Sequence, residues 1–383
     1  LRVLHFEDKN IMTVHCGFII NAGSRDELST ENGIAHLIEH CMFKGTKRRK
    51  AFHILTRLDS VGGEINAYTT KEETSVYASA LKEHFNRAAE LLVDITFSSI
   101  FPEKEIEKEK SVIVDEINSY KDNPDEMLMD EFEEKLFPDH PLGRSILGTA
   151  ELVNGFTRDD IMRFVERNYS TDQIVFTCVG NVSLKKIETF SKNVLEKLPA
   201  STSNRAHRTI PKSKMFSESK KTSVHQVHSL LGCKTIGFDD ERRRAMVLMN
   251  NVLGGPALNS RLNLNIRERF GYCYYIESSY APYADTGVFQ IYFGTDKRHE
   301  KKVAKLIVKE LKSLTDVTLS ERLLSVAKKQ LLGQIALSQE NRASLMLSLG
   351  KALLQFDRVD RFFGIVCPLA KASSLVLTLL LMH

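Results

Sequence analysis

The sequence predicts an α+β protein of two duplicated α/β domains, each a mixed, mainly antiparallel sheet with helices packed on it. Three observations predict it. At 383 residues the chain exceeds what one hydrophobic core of ordinary size fills, so two domains are the default. Stretches rich in β-branched residues are interleaved with stretches of helical period. One order of elements also recurs: "EINAYTTKEETSVYASALKEHFNRAAELLVDI" (64–95) and "ESSYAPYADTGVFQIYFGTDKRHEKKVAKLIVKEL" (277–311) both read strand, turn, strand, amphipathic helix.

Taken in order, "NIMTVHCGFII" reads as a strand. Ser29 or Thr30 is placed to cap a helix that runs through His40 and stops at Gly45. "LDSVGGEINAYTTKEETSVYASAL" gives two strands around a polar turn near Lys71, and "KEHFNRAAELLVDITFSS" has helical spacing. Pro102 suits the first turn of the long helix "EKEIEKEKSVIVDEINSYK". "STDQIVFTCVGNV" reads as a strand ending in a Gly-Asn turn. The polar, Ser/Lys-rich run "PASTSNRAHRTIPKSKMFSESKK" (199–221) has no period. It sets the expected domains at 1–200 and 222–383, joined by a linker at 201–221.

Composition narrows the function. Hydrophobic and charged fractions of 42% and 27% are those of a soluble globular protein. A net charge of +4, with no basic stripe, argues against nucleic acid as a partner. Six scattered cysteines without a CxxC pair suit reduced thiols and a cytosol-like compartment. The tail "FFGIVCPLAKASSLVLTLLLMH" (362–383) is apolar, but Pro368 and Lys371 interrupt it short of the roughly 20 residues a membrane span needs. A core helix or a frayed end is expected there, and no membrane partner. The chain starts at Leu1 with no charged-then-apolar leader, so any targeting segment is expected to have been removed or never present; the expected compartment is bacterial cytoplasm, with periplasm or a mitochondrial matrix as alternatives.

The chemistry concentrates in "GIAHLIEHCMFKGT" (33–46). On a helix, His36, Glu39 and His40 share one face. A zinc hydrolase needs imidazole and carboxylate ligands, an open position for water, and a base beside it. HxxEH supplies two ligands and a carboxylate and is one of the inverted zinc-peptidase signatures. Taken alone it competes evenly with an ordinary polar helix face. A third ligand is sought in "EKEKSVIVDEI", where Glu109 and Glu116 stand two helical turns apart. Glu116 can reach a metal while Glu109 sits a layer back to orient a ligand. Between Pro102 and Leu136, however, 13 acidic residues face 5 basic ones, so spacing alone favours a solvated acidic face.

"HLIEHCMFKGT", with 75 residues between His40 and Glu116, closely resembles the pitrilysin (insulinase) family of zinc endopeptidases. Its short two-domain branch, which includes the mitochondrial processing peptidase catalytic subunit and bacterial homologues, is the most similar. The resemblance implies that His36, His40 and Glu116 hold one Zn²⁺ per chain, that Glu39 is the general base, and that Glu109 supports the ligands. "GGEINAYTTKEET" resembles the family segment whose edge strand receives substrate, which implies that Asn66 and Ala67 pair with the peptide backbone. Glu126 and Asp130 match an acidic pair that contacts an arginine near the scissile bond. "SRLNLNIRERFGYCYYIESSY" resembles the family's C-terminal motif, which implies that Arg267 and Tyr274 stabilise the developing oxyanion. Arg269 and Tyr272 lie within a residue or two of that assignment.

The resemblance further implies peptide substrates taken unfolded into a clamshell chamber, and a homodimer to complete it. Two other readings compete. One is a catalytic subunit that requires a distinct partner; the other is a non-catalytic structural homologue.

Overall fold

The computed structural model describes residues 1–203, 208–221 and 225–359. They form two compact units, neither continuous in sequence. The first takes Leu1–Tyr120, Asp139–Thr209 and Ser338–Val359; the second takes Lys121–Pro138 and Ile210–Leu337.

In the first unit, strands β1 (Arg2–Glu7), β2 (Thr13–Ile20), β3 (Glu64–Thr69), β4 (Thr74–Leu81) and β5 (Ile174–Gly180) form one sheet in the order β1-β5-β2-β4-β3. Only the β1–β5 pairing is parallel, so the sheet is mixed and mainly antiparallel. Its central strands β5 and β2 are buried along most of their length because both faces are covered, although β2 carries His15 and β5 carries Thr177. Successive residues of β2 point to opposite faces: Phe18 and Ile20 enter the main core, whereas Ile19 joins a small second cluster with Val179 and Met346.

Helices α1 (Ile34–Met42), α2 (Ala51–Asp59), α3 (Phe85–Phe97), α4 (Glu103–Lys121), α6 (Ala150–Gly155), α7 (Arg158–Asn168) and α8 (Leu184–Asn193) also belong to this unit. Phe18 packs edge-on against Phe97 of α3, with ring centroids 5.2 Å apart. The second face of the sheet is closed by α12 (Arg342–Phe356), from the far end of the described chain. Gly350 permits this approach, since a β-carbon there would meet Ile19 Cδ1 at 2.4 Å.

The second unit contains α5 (Pro124–Leu136), β6 (Val227–Thr235), α9 (Arg243–Gly254), β7 (Cys273–Pro282), β8 (Gly287–Thr295) and α10 (Glu300–Asp316). The helix α11 (Glu321–Glu340) runs mostly within it. Its three strands are ordered β6-β8-β7 and every pairing is antiparallel. The expected mixed character therefore belongs to the first sheet alone. Among the described residues, the second sheet has no parallel member matching β1. The repeat of strand, turn, strand and helix is present in both units, as β3–β4–α3 and β7–β8–α10.

The compact units do not coincide with boundaries at 1–200 and 222–383. Residues 121–138 join the second unit because α5 packs on β6, where Gly232 lets the Phe132 ring come close. The segment expected as a linker is mostly exposed but is tied down at several of its described residues. Arg208 donates from Nη2 to Asp26 Oδ2 at 2.8 Å, and the Thr209 carbonyl accepts from Arg25 Nη2 at 2.7 Å. Beyond them, Lys220 pairs with Glu131 at 2.9 Å. The apolar tail (362–383) lies outside the described residues. Among those described, no helix is long and apolar enough to cross a membrane.

Candidate metal centre and active site

Helix α1 is short and mostly buried, with Ile34, Leu37, Ile38, Cys41 and Met42 in the main core. That packing leaves His36, Glu39 and His40 on the remaining face, and it turns Cys41 inward, where burial pushes its thiol up to about 12. The helix starts later than its sequence suggests. Ser29–Glu31 forms a separate 3₁₀ turn, and the residue before Ile34 is Gly33, at φ +99°. A glycine has no side chain to cap with, so the free amide groups of the first turn need a remote acceptor. Glu27 supplies it. One carboxylate oxygen accepts from Ala35 N at 3.0 Å, and the other accepts from Gly33 N at 3.1 Å and Asn32 Nδ2 at 3.0 Å.

In α4, Ile106, Ile113 and Ile117 anchor one face in the core. Glu109 and Glu116, seven residues apart, then lie along the side turned to α1. Glu116 Oε1 is 3.8 Å from His36 Nε2, and its Oε2 is 3.6 Å from His40 Nε2. One ligand-type atom from each of the three side chains lies within 4.8 Å of the others. These separations are too long for direct hydrogen bonds. They suit atoms arranged around a common ion, for which tetrahedral geometry at zinc–nitrogen distances puts ligand atoms about 3.3 Å apart.

The protonation states agree. Burial, followed by the neighbouring His40, pushes His36 down to about 4, so its imidazole is neutral at neutral pH, as a ligand must be. His36 Nδ1 is buried with no hydrogen-bond partner among the described residues. His40 Nδ1 sits 3.2 Å from Glu109 Oε2, which leaves His40 Nε2 toward Glu116. Lys44 holds the other Glu109 oxygen at 2.8 Å. This is the arrangement by which a carboxylate fixes the orientation of a ligating imidazole. Two imidazoles and a carboxylate on rigid helices fit zinc.

Glu39 stands beside this group and is not one of the three. Its carboxylate lies against Thr69, the last residue of β3. Burial raises its pKa, and Thr69 and His40 pull the other way. Among the described residues, strand β3 is the outer strand of the sheet, paired with β4 on one side only, with Asn66 opposite Tyr77 and Ala67 opposite Val76. Asn66 is exposed. The turn that closes this hairpin is unusually well anchored for a turn. Glu72 pairs with Arg25 at 2.6 Å, Lys71 Nζ donates to the Arg144 carbonyl at 2.5 Å, and Glu73 is held by Tyr68 Oη and by Lys351 of α12.

The first unit thus brings together His36, Glu39, His40, Glu109 and Glu116, with the strand of Asn66 and Ala67 alongside. The other sequence candidates fall in the second unit. Glu126 and Asp130 lie one helical turn apart on α5. Arg267 sits in a π-helical turn, Asn263–Glu268, where its Nη1 is 3.4 Å from Asn263 Oδ1. Tyr274, near the start of β7, is 61% exposed. The sequence reading does not reach Glu27, Thr69, Lys44 or Lys351, because their roles depend on contacts between distant segments. Gly33 gives the one local hint, since a helix opened by glycine needs an acceptor from elsewhere.

Such a constellation is, among the described residues, a group able to hold a metal ion on an α+β unit. The chain belongs to the insulinase (peptidase M16) family. The model for "Insulinase (Peptidase family M16)" matches residues 2–150, and that for "Peptidase M16 inactive domain" matches residues 155–331, so this is a two-domain member. A Bacillus subtilis protein named uncharacterized zinc protease YmxG is 34% identical over 92% of this chain and 85% of its own length. A Streptomyces coelicolor protein, likewise named an uncharacterized zinc protease, is 33% identical over 92% of this chain and 78% of its own.

Among solved structures, a protease from Helicobacter pylori superposes with a TM-score of 0.88 at 21% identity, covering 99% of this chain and 93% of that one. A chain of Complex III2 from Candida albicans reaches 0.81 at 15% identity, covering 98% and 89%. These structural likenesses show the fold; the reading of function rests on the residues themselves.

Proposed function

We propose that this protein is a zinc-dependent endopeptidase that hydrolyses unfolded peptides. The observation that carries the proposal is one juxtaposition: the His36–His40–Glu116 group, with Glu39 between it and the end of an edge strand. His36, His40 and Glu116 would hold the ion, one per chain. When bound, zinc supplies a positive charge that acidifies a water toward a pKa of about 7 and polarises a carbonyl.

The protein's own groups do the rest. The free edge of β3 pairs with an extended peptide by strand addition, with Asn66 and Ala67 in the pairing stretch. That pairing is independent of side-chain sequence, and it requires a substrate without its own secondary structure. Glu39 accepts the proton of the attacking water and returns it to the leaving amine. Glu109 keeps His40 turned to its task. Arg267 and Tyr274 are the residues the family resemblance assigns to the developing oxyanion. The resemblance also supports a homodimer enclosing a chamber, in the bacterial cytoplasm. Gel filtration with turnover measured on the dimer peak tests the assembly, and activity restored only by a second polypeptide would replace it with a heteromeric enzyme.

Glu116→Gln tests the ligand set. An amide is a much poorer zinc ligand than a carboxylate, so zinc content after dialysis is expected to fall well below one per chain, with hydrolysis falling in step. Zinc retained at the wild-type ratio would mean that another residue is the third ligand.

Glu126 and Asp130 carry the proposed preference for arginine near the cleaved bond. Carboxylates at i and i+4 on α5 can share one guanidinium. Glu126→Gln/Asp130→Asn is expected to lower kcat/KM about tenfold or more on arginine-containing peptides while leaving arginine-free peptides unchanged. An equal effect on both peptide sets would dismiss the acidic pair as a specificity element.

A non-catalytic structural role is the weaker reading. The fold is shared with a chain of Complex III2 from Candida albicans, but here His36, His40 and Glu116 converge and Glu39 is present beside them.

A further inference from the structure

We propose that the first unit carries an anion site for a phosphate-type dianion, separate from the metal centre, on the surface formed by α2, α3 and the segment before α2. A basin of about 450 Å³ there is lined by Arg48, Arg49, His53, Arg57, Ser60 and Arg87. That volume falls within the range of roughly 300–1,000 Å³ usual for small-ligand pockets.

The charge in this basin is not balanced. Glu90 and Asp94 are the carboxylates that pair with the arginines. Arg49 spans both, at 2.7 Å to Glu90 and 2.5 Å to Asp94, and Arg57 reaches Glu90 at 2.8 Å. Arg48 approaches Glu90 only at 4.0 Å and is largely exposed. Arg87 has no carboxylate partner among the described residues; its Nη1 lies 3.2 Å from the Arg57 carbonyl and 3.3 Å from Ser60 Oγ. Four guanidiniums against two carboxylates leave two positive charges uncompensated. Arg57 Nε is also buried without an acceptor among the described residues. Left to itself, such a cluster is repulsive, and exposed ion pairs offset little of that repulsion.

The chemistry selects the ligand. Planar guanidiniums recognise tetrahedral oxyanions through paired N–H donors, and a dianion matches the missing charge. The His53 imidazole lies in the same lining, and the Ser60 hydroxyl, which accepts from Arg87 and donates to the Arg57 carbonyl, helps place Arg87. The carboxylates have a second effect: by fixing Arg49 and Arg57 in place, they pre-organise the floor of the basin, so a ligand orders only the outer pair, Arg48 and Arg87.

The experiment titrates the full chain with inorganic phosphate at constant ionic strength, followed by calorimetry and by thermal unfolding. The variant is Arg48→Gln/Arg87→Gln, which leaves the Arg49–Glu90–Asp94 pairs intact and touches nothing in the metal centre. Lys305→Gln/Lys309→Gln, exposed on α10, is the control with the same change in net charge. One saturable site per chain is expected in the wild type and in the lysine control, with affinity at least about tenfold weaker in the arginine variant. Phenyl phosphate serves as a second arm. Tighter binding than inorganic phosphate identifies an esterified phosphate as the occupant, and weaker binding identifies the free anion. Non-saturable binding, or equal weakening in both double variants, would overturn the site. The readout is binding alone, so the result does not depend on the peptidase reading.

Discussion

Glu39→Gln is expected to keep wild-type zinc content and to lose peptide hydrolysis by roughly 10²–10⁴-fold. The two halves of that outcome come from different features of α1. On the proposed reading metal content depends on His36, His40 and Glu116, whose ligand-type atoms converge without Glu39. Turnover depends on a group that can take a proton, and glutamine cannot. The substitution is isosteric and leaves the side chain against Thr69, so β3 and its pairing edge are undisturbed. Metal analysis of the purified variant, together with single-turnover cleavage of a quenched unfolded peptide, measures both halves. Wild-type hydrolysis would remove Glu39 from the mechanism, whereas loss of zinc with loss of activity would make it a ligand.

The parts of this site legible in the sequence are those set by spacing within one element. The helical period puts His36, Glu39 and His40 on one face of α1 and Glu109 with Glu116 on one side of α4. Both placements hold in the structure because each helix buries an apolar stripe that fixes its rotation. The hairpin of β3 and β4 is legible for the same reason: the polar turn sits between two strands of period two.

What spacing cannot supply is pairing between distant segments. Strand β1 is short and half exposed, and its strand partner among the described residues, β5, lies some 170 residues further along the chain. Helix α12 covers the first sheet although its sequence lies beyond the whole second sheet. The helix of Glu126 and Asp130 follows α4 with hardly a break, yet it packs on β6. No local signal marks that change of unit. The same holds for the cap of α1. Ser29 and Thr30 are good capping residues in a plausible place, but Gly33 turns the chain at positive φ and Glu27 reaches in from nearer the N-terminus.

That cap sets the second large effect. Glu27→Ala is expected to destabilise the first unit by about 3–5 kcal/mol, because three buried donors lose their acceptor and each unsatisfied group costs roughly 1–3 kcal/mol before water relieves part of it. At roughly 2–4 °C per kcal/mol for a unit of this size, its melting temperature falls by about 10 °C. Zinc affinity falls too, since the first turn of α1 frays immediately before His36.

The effect has a pH signature. Burial raises the Glu27 carboxyl to about 8, against the pull of Asn32, Ala35, Gly33 and Arg144. A folded-state value above the unfolded one means that the folded protein binds an extra proton. The stabilisation is therefore fully present below the unfolded value of 4.5 and is lost as pH rises through about 8. Calorimetry of the metal-free proteins should show the gap between wild type and Glu27→Ala narrowing from pH 5 toward pH 8.5. A gap of less than about 2 °C at pH 5 would show that the first turn finds its acceptors elsewhere and that Glu27 is dispensable to the helix that carries His36 and His40.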